Sequence, residues 1–432
     1  MFILLIISIA LLSGCNVTTI EELYCHPKRS EDFLNLQALI DRHMVGLEYS
    51  APISGENQQT VQMADLDGDG NSEYLLFARG NTDKPMHIFI FSKTEKSYYL
   101  VDTIQSTGHA FDRVEYVSMG EGNGYELVVG YQLSGQTVRS LSVYTMVDGK
   151  IESALTTKYS KFVCHDLDGD QRSDLLVLRP SESDYGVAEL YSIKDGEMVR
   201  SREVGMSRPA DQIKRIMVSK LEDGATAFFV ASDVNNSAVI TDIYTVLDDN
   251  LTNVAISNAS DTSVQTLRNY YVYAVDIDND GILELPSLIP MANNTEEASK
   301  NGQHLIQWYS LTSDGKRVNK LCTYHNFLGG WYVQLESDII HQIVVMQKGN
   351  AYEFSADGDA FSEPKKLMTI YVLTGQKREE LAQIDNRFVV HRTDSTVYAA
   401  SLEVASGAYG MSKDGLIKGF HLILQDWKTG ET

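Results

Sequence analysis

Cations are scarce in this chain. Its 432 residues hold 36 lysines and arginines against 59 aspartates and glutamates, a formal charge of −23. A chain that negative repels phosphate backbones, which are held by clustered Lys and Arg, so nucleic acid is excluded as a partner. Cysteine is scarce as well: four residues without paired spacing imply neither a zinc motif nor a disulfide framework. Also missing are the Gly-x-Ser-x-Gly elbow, His-Glu-x-x-His, a Walker loop and Gly-x-Gly-x-x-Gly, so the common hydrolase, metalloprotease and nucleotide chemistries have no foothold. What remains is ordinary for a soluble globular protein: 43% apolar and 22% charged residues. The length makes two domains the starting expectation.

Phe2 to Leu12 is apolar except for Ser8 and runs into Leu12-Ser13-Gly14-Cys15. That tetrapeptide resembles the bacterial lipobox, in which the Cys is acylated and becomes the new N-terminus. The run is shorter than the roughly 20 residues a spanning helix needs, so it reads as the apolar core of a signal peptide, although no Lys or Arg precedes it. Residues 1–15 are therefore expected to be a lipoprotein signal peptide with Cys15 lipidated. The protein would then be extracytoplasmic and anchored to the cell membrane through the lipid. Cys25, Cys164 and Cys322 read as small buried hydrophobes or one bridge plus a free thiol.

Residues 16–44 read as a polar tether followed by a short helix, with Phe33, Leu36, Ile40 and Met44 at helical spacing. From residue 45 to 325 short β-type runs alternate with Gly, Asp, Asn and Ser turns, which predicts an all-β body. Three segments there share one pattern: Asp65-Leu-Asp67-Gly-Asp69-Gly-Asn-Ser-Glu73, Asp166-Leu-Asp168-Gly-Asp170-Gln-Arg-Ser-Asp174 and Asp276-Ile-Asp278-Asn-Asp280-Gly-Ile-Leu-Glu284. Acid-poor copies lie midway, at Ser118–Glu126 and Ser219–Ala227. The five copies start at 65, 118, 166, 219 and 276, so the steps of 48 to 57 residues are blade-sized.

These loops, each followed by an apolar strand, resemble the FG-GAP or VCBS-type repeats of the integrin α-subunit and of many bacterial surface proteins. The resemblance implies a β-propeller over residues 45–325, with about five blades and six or seven left open, and implies that the acidic loops bind calcium. The ligand set it points to is Asp65, Asp67, Asp69 and Glu73; Asp166, Asp168, Asp170 and Asp174; Asp276, Asp278, Asp280 and Glu284. Carboxylates at alternate positions of a tight turn supply the hard oxygens that calcium takes in sixes to eights. Gly70 and Gly281 permit the reversal at position six, whereas Gln171 replaces glycine in the middle loop. An EF-hand is rejected, because its twelfth-position Glu would fall on Leu76, Val177 and Ser287. The acid-poor copies are expected to bind no metal, and Asp357-Gly-Asp359 reads as a plain acidic turn.

Residues 326–432 do not repeat. Strand-like runs followed by Ser412, Leu416, Phe420, Leu424 and Trp427 at helical spacing suggest a small α+β domain with a closing helix, which broadly resembles PsbP-like modules. Tyr98-Tyr99, Tyr270-Tyr271, Trp308-Tyr309 and Trp331-Tyr332 are the densest aromatic pairs, and strand alternation turns one of each pair toward a core. Two functional classes follow. One is a lipid-tethered binding or scaffold protein that meets another envelope protein or cell-wall carbohydrate. The other is a carbohydrate-active glycosidase or lyase with its site in the propeller funnel. The missing catalytic motifs favour the first.

Overall fold

The computed structural model describes residues 31–94, 97–133, 139–182, 184–256, 260–291, 302–357 and 364–423. The signal peptide, the tether, Cys15, Cys25, Gly358, Asp359, Leu424 and Trp427 lie outside the described residues.

The described chain is mainly β. After helix α1 (Glu31–His43) come six antiparallel sheets among the described residues. Sheet one holds β1 (Glu48–Tyr49), β2 (Val61–Ala64), β3 (Glu73–Arg79), β4 (Met86–Lys93) and β5 (Tyr98–Ser106). Sheet two holds β6 (Ala110–Val117), β7 (Glu126–Gln132), β8 (Arg139–Val147) and β9 (Lys150–Tyr159). Sheet three holds β10 (Lys161–His165), β11 (Asp174–Pro180), β12 (Gly186–Lys194), β13 (Glu197–Arg200) and β14 (Val204–Gly205). Sheet four holds β15 (Ile213–Lys220), β16 (Thr226–Val234), β17 (Ala238–Leu247) and β18 (Asn250–Asn253). Sheet five begins with β19 (Leu285–Ile289), β20 (Gln303–Leu311), β21 (Arg317–Asn326) and β22 (Trp331–Leu335). Sheet six holds β23 (Ile343–Lys348), β24 (Ala351–Ala356), β25 (Lys365–Thr374), β26 (Phe388–Arg392) and β27 (Thr396–Leu402). Short helices α2 (Arg378–Leu381) and α3 (Lys413–Gly419) precede β28 (Phe420–Leu422), which returns to sheet five beside β22.

Composition explains which strands lie inside. β2 alternates exposed and buried residues, as a half-covered strand does, whereas β3, β7, β11 and β16 carry continuous apolar runs such as Leu75–Ala78 and Phe228–Ala231 that are buried on both faces. By contacts the chain divides into two compact units, Met1–Tyr116 with Leu127–Gln136 and Val143–Ser153, and Val117–Glu126 with Thr137–Ser142 and Ala154–Thr432. In the first, Leu36 and Ile40 of α1 pack on Leu76, Ala78, Phe89 and Phe91 of β3 and β4. In the second, Tyr324, Trp331, Phe354 and Phe420 share one core drawn from sheets five and six.

Two features of the C-terminal region differ from expectation. Helix α3 starts at Ser412, whose side chain accepts the Gly415 N–H as a cap, but it ends at Gly419. Phe420 leaves in an extended conformation, pairs with Val333 and stacks on Trp331 at 5.5 Å, so it belongs to a strand. Two glycines in seven helical residues weaken the helix, and the aromatic contact outcompetes another turn. The place where a domain boundary was expected, between Tyr324 and Gly330, is a hairpin reversal in which β21 and β22 pair. Asn326 accepts the Gly329 N–H at 2.8 Å, and Gly330 takes the left-handed conformation the turn needs. Of the aromatic pairs, Trp308, Tyr309 and Trp331 are buried, and Tyr99 faces outward.

Sheet five also carries a buried imidazole, His325, and a half-buried one, His304. His304 and His325 are directly opposite each other on β20 and β21. His325 lies flat on Tyr332 at 4.6 Å, and its Nδ1 meets the Thr323 hydroxyl at 3.0 Å. Burial pushes His304 down to about 4, and burial plus the neighbouring His304 pushes His325 down to about 3. Both folded values lie below the ordinary 6.5, so the unfolded chain binds more protons between pH 6.5 and 4 and stability falls as pH drops through that window. The slope is at most about 1.4 kcal/mol per pH unit for each histidine. Urea unfolding should accordingly show a shallower loss of stability from pH 6.5 to 4 in His325→Phe than in the wild type, and equal slopes would contradict this account.

Candidate metal centres

Each acid-rich copy spans a reversal of the chain. The first loop joins β2 to β3, the second joins β10 to β11, and the third leads into β19 from Val275, which bridges back to Glu284. Asp65 accepts the Gly68 N–H at 2.8 Å and the Gly70 N–H at 2.9 Å. Asp166 does the same for Gly169 at 2.7 Å and Gln171 at 2.9 Å, and Asp276 for Asp280 and Gly281, each at 3.0 Å. The third-position carboxylates of Asp67, Asp168 and Asp278 each accept the N–H two residues on. These bonds satisfy the backbone of a sharp turn locally, which is why short acidic side chains occupy it.

Position six needs a left-handed backbone, and all three loops supply it: φ is +88° at Gly70, +69° at Gln171 and +88° at Gly281. Around Gly70 and Gly281 a Cβ would meet nothing within 4 Å, so glycine is there for its torsion and not for room. Gln171 keeps the geometry at a conformational cost of about 1–2 kcal/mol.

The ninth-position acid closes each loop. Glu73 accepts the Leu66 N–H at 2.9 Å, Asp174 the Leu167 N–H at 3.0 Å and Glu284 the Ile277 N–H at 3.0 Å, and all three carboxylates are buried. In each loop one oxygen from positions one, three and nine comes together: Asp65, Asp67 and Glu73; Asp166, Asp168 and Asp174; Asp276, Asp278 and Glu284, all within 4.8 Å of one another. Oxygens sharing one calcium at about 2.3–2.6 Å can stand no more than about 5 Å apart, so each triad fits a single ion. The other carboxylate oxygen of Glu284, Oε1, is buried with no hydrogen-bond partner. An orphaned carboxylate oxygen in an all-oxygen cluster fits a hard cation such as calcium.

Electrostatics agree. Desolvation first, then Asp278, Asp280 and Asp276, push Glu284 up to about 7; desolvation, then Asp168 and Asp170, push Asp174 up to about 6. Glu73, Asp67 and Asp278 are raised as well, by desolvation ahead of neighbouring acids. The fifth-position aspartates are not gathered with the rest. Asp69, Asp170 and Asp280 each accept the seventh-position N–H; on Asp170 and Asp280 desolvation is the largest single influence, but the hydrogen bonds and charge of Arg172 and Lys320 together with that N–H outweigh it and lower the carboxyl.

The acid-poor copies separate closure from metal chemistry. Between β6 and β7, Glu126 accepts the Met119 N–H at 2.8 Å, the same closing bond, with serine and glycine at positions one and three. In the copy at 219–227, β15 runs on through Lys220 and pairs it with Thr226, so the reversal is only Leu221–Ala225. A nine-residue alignment is not kept there, because Leu221 and Ala225 close a tighter turn through their own backbone at 2.7 Å. The sequence reading missed Glu126, Arg172 and Lys320. Glu126 was legible as a ninth-position acid; Lys320 lies 40 residues from Asp280 and carried no local signal.

No family model and no curated protein matches the chain. Among solved structures, it is similar to Saccharomyces cerevisiae Sqt1, at 10% identity over 80% of this chain and 98% of that one, TM-score 0.32. It is similar to rhamnogalacturonan lyase YesW at 8% identity, over 74% and 76%, TM-score 0.31. The α-L-arabinofuranosidase arb93a from Fusarium graminearum follows at 10% identity, over 82% and 96%, TM-score 0.26. Likeness at this level carries no activity over to this chain.

Two outcomes are expected. Gln171→Gly relieves the left-handed strain and gives back part of it as unfolded-state entropy, so the urea midpoint should rise by the equivalent of about 1 kcal/mol; a fall would contradict the torsional argument. Protons compete with any cation for raised carboxylates, so calcium uptake should weaken below about pH 7 at the third loop and below about pH 6 at the second, read by titrating wild type and the Asp278→Ala and Asp168→Ala variants at several pH values.

Proposed function

We propose that this chain is a lipid-anchored, extracytoplasmic β-propeller that binds calcium in three loops and serves as a binding or scaffold protein at the cell envelope. The observation that carries the calcium reading is the recurrence of one carboxylate triad at three repeat positions, with an orphaned buried oxygen on Glu284 in the third. The propeller reading is supported by antiparallel sheets that recur with the repeat copies, each copy lying between two successive strands of its sheet or leading into it, with sheet six as a further blade. The Leu12-Ser13-Gly14-Cys15 tetrapeptide supports the anchor. Another envelope protein or wall carbohydrate is the partner class this location offers.

In this reading calcium is structural. Asp65, Asp67 and Glu73, with their counterparts, would hold it, and when bound it supplies positive charge where the carboxylates otherwise repel one another. The residues' own part is to hold three oxygens in place through backbone N–H bonds, so little ordering is left for the ion to impose. An ion that binds only the folded chain stabilises it by about 2.7 kcal/mol per site at a hundred times its dissociation constant.

Calorimetric titration of the full chain in detergent should give about three calcium sites, with Asp67→Ala, Asp168→Ala and Asp278→Ala each removing one. A chelator should lower the urea midpoint of the wild type. No calcium uptake, or a midpoint indifferent to chelator, would overturn the reading.

A further inference from the structure

The second and third metal loops each lean on the acid-poor copy that precedes them in sequence, through the same two contacts. The first contact is a backbone tie at the eighth residue of the metal loop. The Ser173 N–H donates to the Ser118 carbonyl at 2.7 Å, and the Leu283 N–H donates to the Ser219 hydroxyl at 3.1 Å. The second contact is a shared cation. Lys320 Nζ lies 3.0 Å from Asp280 Oδ2 and 2.8 Å from Glu222 Oε2, and Glu222 also accepts the Ser310 hydroxyl at 2.6 Å. Arg172 donates to Asp170 Oδ2 from Nε at 2.8 Å and Nη2 at 2.6 Å, and reaches Glu121 Oε1 at 3.4 Å.

The two cations have unrelated origins. Arg172 is the seventh residue of its own loop; Lys320 comes from β21, and its side chain is only 16% exposed. Both arrive at the fifth-position aspartate of a metal loop and at a glutamate of the copy before it. The first loop has no copy before it. The carboxylate of its fifth acid, Asp69, accepts only from Asn71 and has no cation beside it among the described residues.

We infer that the acid-poor copies are counter-charge stations for the loops that follow them: Glu121 and Glu222 share Arg172 and Lys320 with the fifth-position aspartates, and those cations make the second and third loops weaker calcium sites than the first. The inference rests on the calcium reading of the three triads and adds their ranking. Calcium affinity in oxygen sites is set by ligand charge and rigidity, and a cation on the fifth carboxylate removes one charge from the set and withholds its free oxygen. An isolated surface pair would matter little, but here the cation sits on a carboxylate two residues along the loop from the third-position acid that would hold the ion. Glu121 and Glu222 take up part of the cation's charge, so removing either tightens its grip on the metal loop.

The test is calcium titration of the full chain in detergent for wild type, Lys320→Met, Arg172→Met and Glu222→Gln, with Asp278→Ala and Asp168→Ala assigning the sites. Wild type should show one tighter and two weaker sites. Lys320→Met should tighten the third site by about three- to tenfold, Arg172→Met should do so for the second, and Glu222→Gln should weaken the third. Three sites with affinities unmoved by Lys320→Met would overturn the inference and leave the calcium reading standing. No uptake by any variant would overturn both the calcium reading and the ranking. In calcium-free buffer, a Glu222–Lys320 double-mutant cycle on urea midpoints then judges the brace: non-additive losses support it and additive losses overturn it.

Discussion

Four connections in this chain are closed by one hydrogen bond, from the backbone N–H of the second residue to a buried carboxylate at the ninth. That bond sets the width of the loop, and the rest of the candidate site follows from it. It draws an acid into the sheet, where desolvation makes the charge costly. In the three acidic loops one oxygen of that acid also lies within 4.8 Å of oxygens of the first- and third-position acids. Glu126 shows that closure works without those acids, since its loop keeps the bond and lacks the rest of the triad. The carboxylate triad is thus laid over a turn that is already complete.

Much of this architecture was legible beforehand, for physical reasons particular to each part. The strands after each loop announce themselves as continuous apolar runs because both of their faces are covered, and the acidic loops recur because a tight reversal demands short acceptor side chains. Sheet six was not legible as another member of the series. Its first two strands are joined by a two-residue turn at Gly349 and Asn350, so it carries no acidic copy to mark it. The closing helix was over-read because Phe420 stands at helical spacing from Leu416, while its partner Trp331 is distant in sequence. At position six of the second loop composition hides the backbone: Gln171 adopts the torsion its glycine counterparts do.

Within the metal loops, pattern and geometry part at the fifth position. The alternate spacing of Asp65, Asp67 and Asp69 treats all three alike, and the backbone does not. The acids of positions one, three and nine come together, whereas position five accepts the seventh-position N–H within the loop and, in two loops, holds a cation. Spacing reports which residues lie on one side of a turn; it does not report which hydrogen bonds have already claimed them.

Strand β28 closes the edge of sheet five only after the chain has passed through the whole of sheet six, and it does so with three residues, pairing Leu422, His421 and Phe420 with Trp331, Tyr332 and Val333. A strand added so late in sequence to a partner laid down early is a long-range contact, slow to form because the intervening chain must first be brought together. Until it arrives, β22 offers a bare row of backbone donors and acceptors beside Trp331, the kind of edge that recruits foreign strands. Sheet five therefore has a period of exposure during synthesis that its neighbours in sequence do not share. A cut between Leu402 and Phe420 would make that exposure permanent.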